Sequence, residues 1–96
     1  MNAMQVQADN IFEVCGGLEK TQVPDGFVIF KADTEKVHYL NPSAAVIFEL
    51  CDGKKSLGDI AMFMREAYGL PEAPLTETLA CARNLADQGL LLLCPK

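Results

Sequence analysis

The chain has 96 residues, of which 50% are hydrophobic and 22% are charged, a composition typical of one small globular domain rather than of a disordered segment. Its 13 acidic and 8 basic residues give a net charge of -5, so a phosphate backbone is repelled and a nucleic-acid partner is disfavoured. No apolar run is long enough to span a membrane, and the N-terminus lacks the pattern of a signal peptide, so we expect a cytoplasmic protein with no membrane partner.

The residues that usually carry chemistry are few and scattered. The chain contains no Gly-rich phosphate loop, no G-x-S-x-G and no H-E-x-x-H, and its one histidine, His38, has no obvious partner. Cys81 lies between two alanines of a predicted helix, whereas a reactive thiol needs an electropositive, partly open setting. We therefore expect no enzyme, and no metal or cofactor, because the four cysteines include no C-x-x-C pair. These are Cys15, Cys51, Cys81 and Cys94.

The N-terminal part predicts an arm followed by a sheet. Residues 1–10 are polar and lack a hydrophobic period, so we predict a flexible N-terminal arm and a single domain over residues 11–96. A short apolar piece that begins at Ile11 comes next, and LEKTQV, which ends at Val23, is a candidate first strand.

A β-hairpin is the best-supported sheet element. FVIFK and KVHYL are rich in β-branched and aromatic residues, and the turn Pro24-Asp25-Gly26 precedes them. Because side chains alternate along a strand, a helix layer covers either Val37 and Tyr39 or else His38 and Leu40.

Two short helices are predicted after the hairpin. Asn41 fits the N-cap and Pro42 the first position of one helix, which ends at Asp52-Gly53. Ser56 and Asp59 resemble a capping box that opens the next helix.

A third helix is predicted from Leu75 or Thr76 to Gln88, with Gly89 as its terminator. The LLLLC stretch after it is either a final strand or a packed tail. The strand KVHYL ends abruptly at a helix cap, and we expect it at the edge of the sheet, where it can accept another strand. A helix packed beside that edge leaves a gap that suits an extended peptide.

The segment YLNPSAAVIFELCDGKKSLGDIA, with NLADQGLL after a linker, resembles the PqqD-like family of precursor-peptide recognition elements. The resemblance covers roughly residues 20–92 and keeps the order and spacing of the family's motifs. The matching residues are Leu40-Asn41, Ala44 with Ile47, Asp52-Gly53, Leu57 with Ile60, and Leu85 with Gly89-Leu90.

The resemblance implies an α+β fold, in which an N-terminal three-stranded antiparallel sheet is followed by three helices in a winged helix-turn-helix-like arrangement. It implies a non-catalytic peptide chaperone that captures the leader of a ribosomally made precursor peptide by strand addition and presents it to a modifying enzyme, often a radical-SAM enzyme. Relatives often carry a bulky aromatic residue and a leucine where this chain has Cys81 and Ala82, which predicts a wider gap. The expected peptide-binding residues are Lys36, Val37, His38, Tyr39, Leu40, Leu79, Ala82, Arg83 and Ala86.

Two alternatives stay open at this point. A winged-helix nucleic-acid-binding regulator shares the order of elements, but its recognition helix should be basic, and the third helix has only Arg83. A homodimer formed through the same edge, or by exchange of the N-terminal strand, does not exclude peptide binding. The pathway, whether pyrroloquinoline quinone synthesis or another modified peptide, is also open.

Overall fold

A computed structural model describes residues 6–94 of the protein. Over this span the chain forms strands that precede, separate and follow three helices. In chain order the elements are β1 (Ile11–Val14), β2 (Leu18–Val23), β3 (Gly26–Lys31), β4 (Lys36–Leu40), α1 (Pro42–Leu50), β5 (Asp52–Ser56), α2 (Leu57–Tyr68), α3 (Leu75–Asp87) and β6 (Leu91–Leu93).

The predicted three-stranded antiparallel sheet is confirmed. Its strand order is β2-β3-β4, with β3 in the centre. Val23 lies opposite Gly26 at the tight turn between β2 and β3, and Lys31 lies opposite Lys36 at the start of β4. The α+β class that the sequence predicted therefore describes the fold.

A second antiparallel sheet, with the order β5-β1-β6, was not predicted. The residues DGKKS of β5 are polar and include a glycine, so their β propensity is low. They become a strand because they pair with β1, where Ile11 lies opposite Ser56. The final LLLLC stretch contributes β6 to the other side of β1.

Residues 6–10 make specific contacts with the domain. Val6 packs against the hydrophobic core. The carbonyl of Asn10 accepts a hydrogen bond from the N–H of Leu57 at 2.9 Å, and that of Ala8 accepts one from Gly58 at 2.8 Å. Of the predicted flexible arm, residues 1–5 lie outside the described residues, whereas residues 6–10 are attached to the start of α2.

The helix boundaries follow from local chemistry. The Asn41 side chain accepts a hydrogen bond from the N–H of Ala44 at 2.8 Å and begins α1. Ser56 and Asp59 form the predicted capping box of α2, which ends at Gly69 in the left-handed conformation. No helix among residues 6–94 is long and apolar enough to cross a membrane.

The core lies between the helices and the two sheets, and it draws on nearly every element. Each large apolar side chain that is buried there stabilises the fold by about 1.5–3 kcal/mol. The largest fully buried side chains are those of Phe12, Ile29, Cys51, Leu57, Ile60, Thr78, Leu85 and Leu90.

Candidate functional site

Strand β4 lies at an edge of its sheet. It pairs with β3 on one side, and no strand within residues 6–94 pairs with its other side. Main-chain N–H and C=O groups along an unpaired edge are a template for another strand. The predicted position of this strand at the edge of the sheet is therefore confirmed.

The register shows which main-chain groups of β4 are free. The carbonyl oxygen of Leu40 points at β3, because a Cβ atom added to Gly26 would lie 1.9 Å from it. In an antiparallel pair the bonded positions alternate, so Lys36 and His38 also bond to β3. The N–H and C=O groups of Val37 and Tyr39 point away from β3, toward the free edge. The free edge thus offers two donors and two acceptors.

The side chains of β4 divide between two faces. Leu40 is buried and His38 is half-buried under the helices, whereas Val37 is 65% exposed and Tyr39 57% exposed on the opposite face. The Tyr39 hydroxyl donates a hydrogen bond to the carbonyl of Asp25 at 2.8 Å. Of the two pairs that the helix layer could cover, it covers His38 and Leu40.

A chain of side-chain hydrogen bonds joins β4 to α3. The Nδ1 atom of His38 lies 2.7 Å from the Oε1 atom of Gln88, and the Nε2 group of Gln88 donates to the Oδ1 atom of Asn84 at 2.9 Å. In this arrangement Nδ1 of His38 is the donor, because the Oε1 atom of Gln88 can only accept. The Nε2 atom of His38 is buried and makes no hydrogen bond to the described residues. We call the space between the free edge of β4 and this side of α3 the β4–α3 groove.

A cavity of about 540 Å³ lies beyond the end of β4, between α1 and α3. Its volume is typical of a small-ligand or side-chain pocket. Asn41, which follows β4 directly, and Asn84, which belongs to the hydrogen-bond chain, both line it, so the cavity borders the β4–α3 groove. The lining residues are Asn41, Ser43, Ala44, Ile47, Met64, Pro74, Glu77, Ala80, Cys81 and Asn84.

The predicted site residues on α3 lie in different environments. Ala82 is fully buried, and Leu79 and Ala86 pack against the core. Arg83 is exposed, and its Nε atom lies 3.9 Å from the Oδ2 atom of Asp87. The five predicted residues of β4 are together at the edge, but of the four on α3 only Arg83 is exposed.

Sequence reasoning missed the polar side of α3. Glu77, Asn84 and Gln88 line the cavity or bond toward β4, and their spacing of seven and then four residues places them on one helix face. That spacing was a signal in the sequence. The sequence-based prediction instead placed Leu79, Ala82, Arg83 and Ala86 of α3 in the pocket wall.

Two cysteines, Cys51 and Cys81, pack in or against the hydrophobic core. Burial raises the pKa of the Cys51 thiol to about 12, and burial also raises the pKa of Cys81. Both thiols are therefore neutral near pH 7. Among residues 6–94, no group of three or more His, Cys, Asp or Glu side chains is arranged to hold a metal ion.

Residues 26–91 match the family described as Coenzyme PQQ synthesis protein D (PqqD). The chain belongs to the PqqD family. A PqqA binding protein of Bradyrhizobium diazoefficiens is 36% identical to it over 58 residues, which are 59% of this chain and 56% of that protein. The match thus spans about half the length of this relative.

Solved structures share the fold of this PqqD-family chain. The PqqD part of Methylobacterium extorquens PqqCD, a stand-alone recognition element for ribosomally synthesized and post-translationally modified peptides, superposes with a TM-score of 0.78 at 17% identity over 96% of this chain and 99% of its own. TbiB1 in complex with the TbiA(beta) leader peptide gives a TM-score of 0.73 at 17% identity over 88% and 99%. Lasso peptide synthetase B1 complexed with its leader peptide gives 0.68 at 24% identity over 84% and 96%.

Proposed function

We propose that this protein binds the leader of a ribosomally made precursor peptide as a strand added to the free edge of β4. The observation that carries the proposal is the unpaired N–H and C=O groups of Val37 and Tyr39 beside α3. The names of its relatives support it, since one is a PqqA binding protein and two solved proteins of this fold hold leader peptides.

The edge alone supports only modest affinity. A docked strand makes up to four backbone hydrogen bonds with Val37 and Tyr39, each worth about 0.5–1.5 kcal/mol net. The conformational entropy that the peptide loses on binding offsets much of this gain in free energy. A useful affinity therefore requires a side chain of the leader to bind as well, and alternate side chains of an added strand face α3.

In this proposal the protein is a non-catalytic chaperone. It holds the leader so that the remainder of the precursor reaches a modifying enzyme, for which a radical-SAM enzyme is our first candidate. The encounter takes place in the cytoplasm, where ribosomes release the precursor. A homodimer formed through the same edge competes with the leader for Val37 and Tyr39, so the two states exclude each other at this site.

A nucleic-acid-binding role has less support. The one basic side chain of α3, Arg83, lies beside Asp87, and the net charge of -5 opposes a phosphate backbone. A recognition helix needs basic residues that reach the duplex.

Two proline variants test strand addition. A random-peptide display library selected against the full chain supplies the probe, and calorimetry measures the affinity of a selected peptide. Tyr39→Pro removes an outward N–H from β4 and leaves the β3 ladder intact. Gln22→Pro does the same at the free edge of β2, because Gln22 lies opposite Phe27, whose main-chain groups point to β4.

We expect Tyr39→Pro to weaken binding by about tenfold or more, since the added strand loses a hydrogen bond and its close approach. Gln22→Pro is expected to bind like the wild type. Circular dichroism checks that both variants are folded. Equal affinity of folded Tyr39→Pro and wild type for the peptide would show that the leader does not bind along this edge.

A further inference from the structure

The cavity at the end of β4 has a polar rim around an apolar floor. Ile47 and Met64 are buried and form the floor. Ser43, Glu77 and Asn84 are exposed polar residues at the rim. Since Asn41 ends the free strand, a leader strand bonded to Tyr39 passes the mouth of this cavity. One of its helix-facing side chains is then positioned to enter.

Of the residues that the structure describes, Glu77 is the one charged side chain that lines the cavity. Within residues 6–94 its carboxylate makes no ion pair. Burial raises the pKa of Cys81, the other ionisable group in the wall, so this thiol stays neutral. An anionic side chain that entered the cavity would meet this carboxylate, with no cation from residues 6–94 in the cavity wall.

The helix termini near the cavity do not reverse this preference. At the start of α1, Pro42 has no N–H, and the N–H of Ala44 is already bonded to the Asn41 side chain. The Ser43 hydroxyl also donates to Asn41, at 3.2 Å, which leaves its own lone pairs as acceptors. Glu77 lies in the first turn of α3 and offsets the positive end of that helix.

We propose that this cavity selects a lysine or arginine side chain of the leader, with its apolar stem against Ile47 and Met64 and its charged end at Glu77. Basic side chains combine an apolar stem and a cationic head in this way. The inference rests on the proposed function, and it adds the chemistry of one leader residue to it.

The test repeats the peptide selection on three forms of the full chain. These are the wild type, Glu77→Gln and the control Glu72→Gln. Glu72 is exposed, carries the same charge and precedes α3, but it does not line the cavity. We expect aligned peptides selected by the wild type and by Glu72→Gln to carry lysine or arginine at one fixed position. Glu77→Gln is expected to lose that enrichment.

Calorimetry then compares one selected peptide with its lysine-to-methionine version. The wild type is expected to prefer lysine by up to about fivefold, the upper end of the range for an exposed ion pair, and Glu77→Gln to lose this preference. A shared motif without a basic position, or the same basic position with Glu77→Gln, overturns the inference and leaves strand addition standing. Failure to select any peptide overturns both.

Discussion

The Nδ1 atom of His38 on β4 donates a hydrogen bond to the Oε1 atom of Gln88, 2.7 Å away at the end of α3. This bond links β4, the strand with the free edge, to α3, the helix that faces it. Because the Nε2 atom of His38 has no partner among the described residues, Gln88 provides the imidazole with its one hydrogen bond there. We therefore expect the stability of the fold to depend on this pair.

Replacement of Gln88 by methionine tests that dependence. The variant keeps the length of the side chain but leaves His38 Nδ1 without an acceptor, so we expect the free energy of unfolding to fall by about 1–3 kcal/mol. Urea denaturation measures the change. The control is Gln22→Met on exposed β2, for which we expect a change within about 0.5 kcal/mol. Equal stability of both variants would contradict a structural role for the His38–Gln88 bond.

Substitution of Gly26 tests the register between β3 and β4 that leaves the main-chain groups of Val37 and Tyr39 free. Gly26 has a φ of 141°, and an added Cβ would lie 1.9 Å from the Leu40 carbonyl oxygen. We expect Gly26→Ala to lower the free energy of unfolding by more than about 2 kcal/mol.

Gly16→Ala is the matched control, because a Cβ there meets no atom within 4 Å. Thermal or urea unfolding compares the two variants. A Gly26→Ala protein as stable as Gly16→Ala would mean that the carbonyl oxygen of Leu40 does not point at β3.

Asp52 gives the fold a defined acid sensitivity. A hydrogen bond from the Lys55 side chain and, after it, one from the Lys54 N–H lower the pKa of Asp52 from 3.8 to about 2. A lowered folded-state pKa stabilises the fold above the unfolded value and loses that contribution as the pH falls through the folded value. Wild-type stability should therefore decline between pH of about 4 and 2.

Asp52→Asn removes this titration, so its urea midpoint should change less over the same interval. Asp25→Asn serves as the control, because the Asp25 carboxylate makes no ion pair within residues 6–94. If wild type and Asp52→Asn show parallel pH profiles, the bonds to Lys54 and Lys55 do not contribute to stability.

Much of the fold was predictable because local chemistry sets it. The side chain of Asn41, the capping box at Ser56 and the glycine at Gly69 define helix ends without reference to distant residues. Strand β5 was not predictable in this way, since its polar residues form a strand only through pairing with β1. Long-range pairing does not appear in a local pattern.

The candidate site was half predictable. Alternation along β4 identified two pairs of side chains, but the packing of the helices was needed to show that His38 and Leu40 are the covered pair. On α3 the apolar Ala82 was expected in the groove and lies in the core. Small apolar residues on a helix fit a core as well as a groove, so only the tertiary structure separates the two.

Amide hydrogen exchange followed by NMR tests the central claim most directly. In the free protein the amides of His38 and Leu40, bonded to β3, should exchange slowly, and those of Val37 and Tyr39 fast. A selected peptide should protect Val37 and Tyr39 and leave Gln22 on β2 unchanged. If the peptide binds while the amides of Val37 and Tyr39 exchange as fast as before, the leader does not add a strand to β4 and the account is wrong.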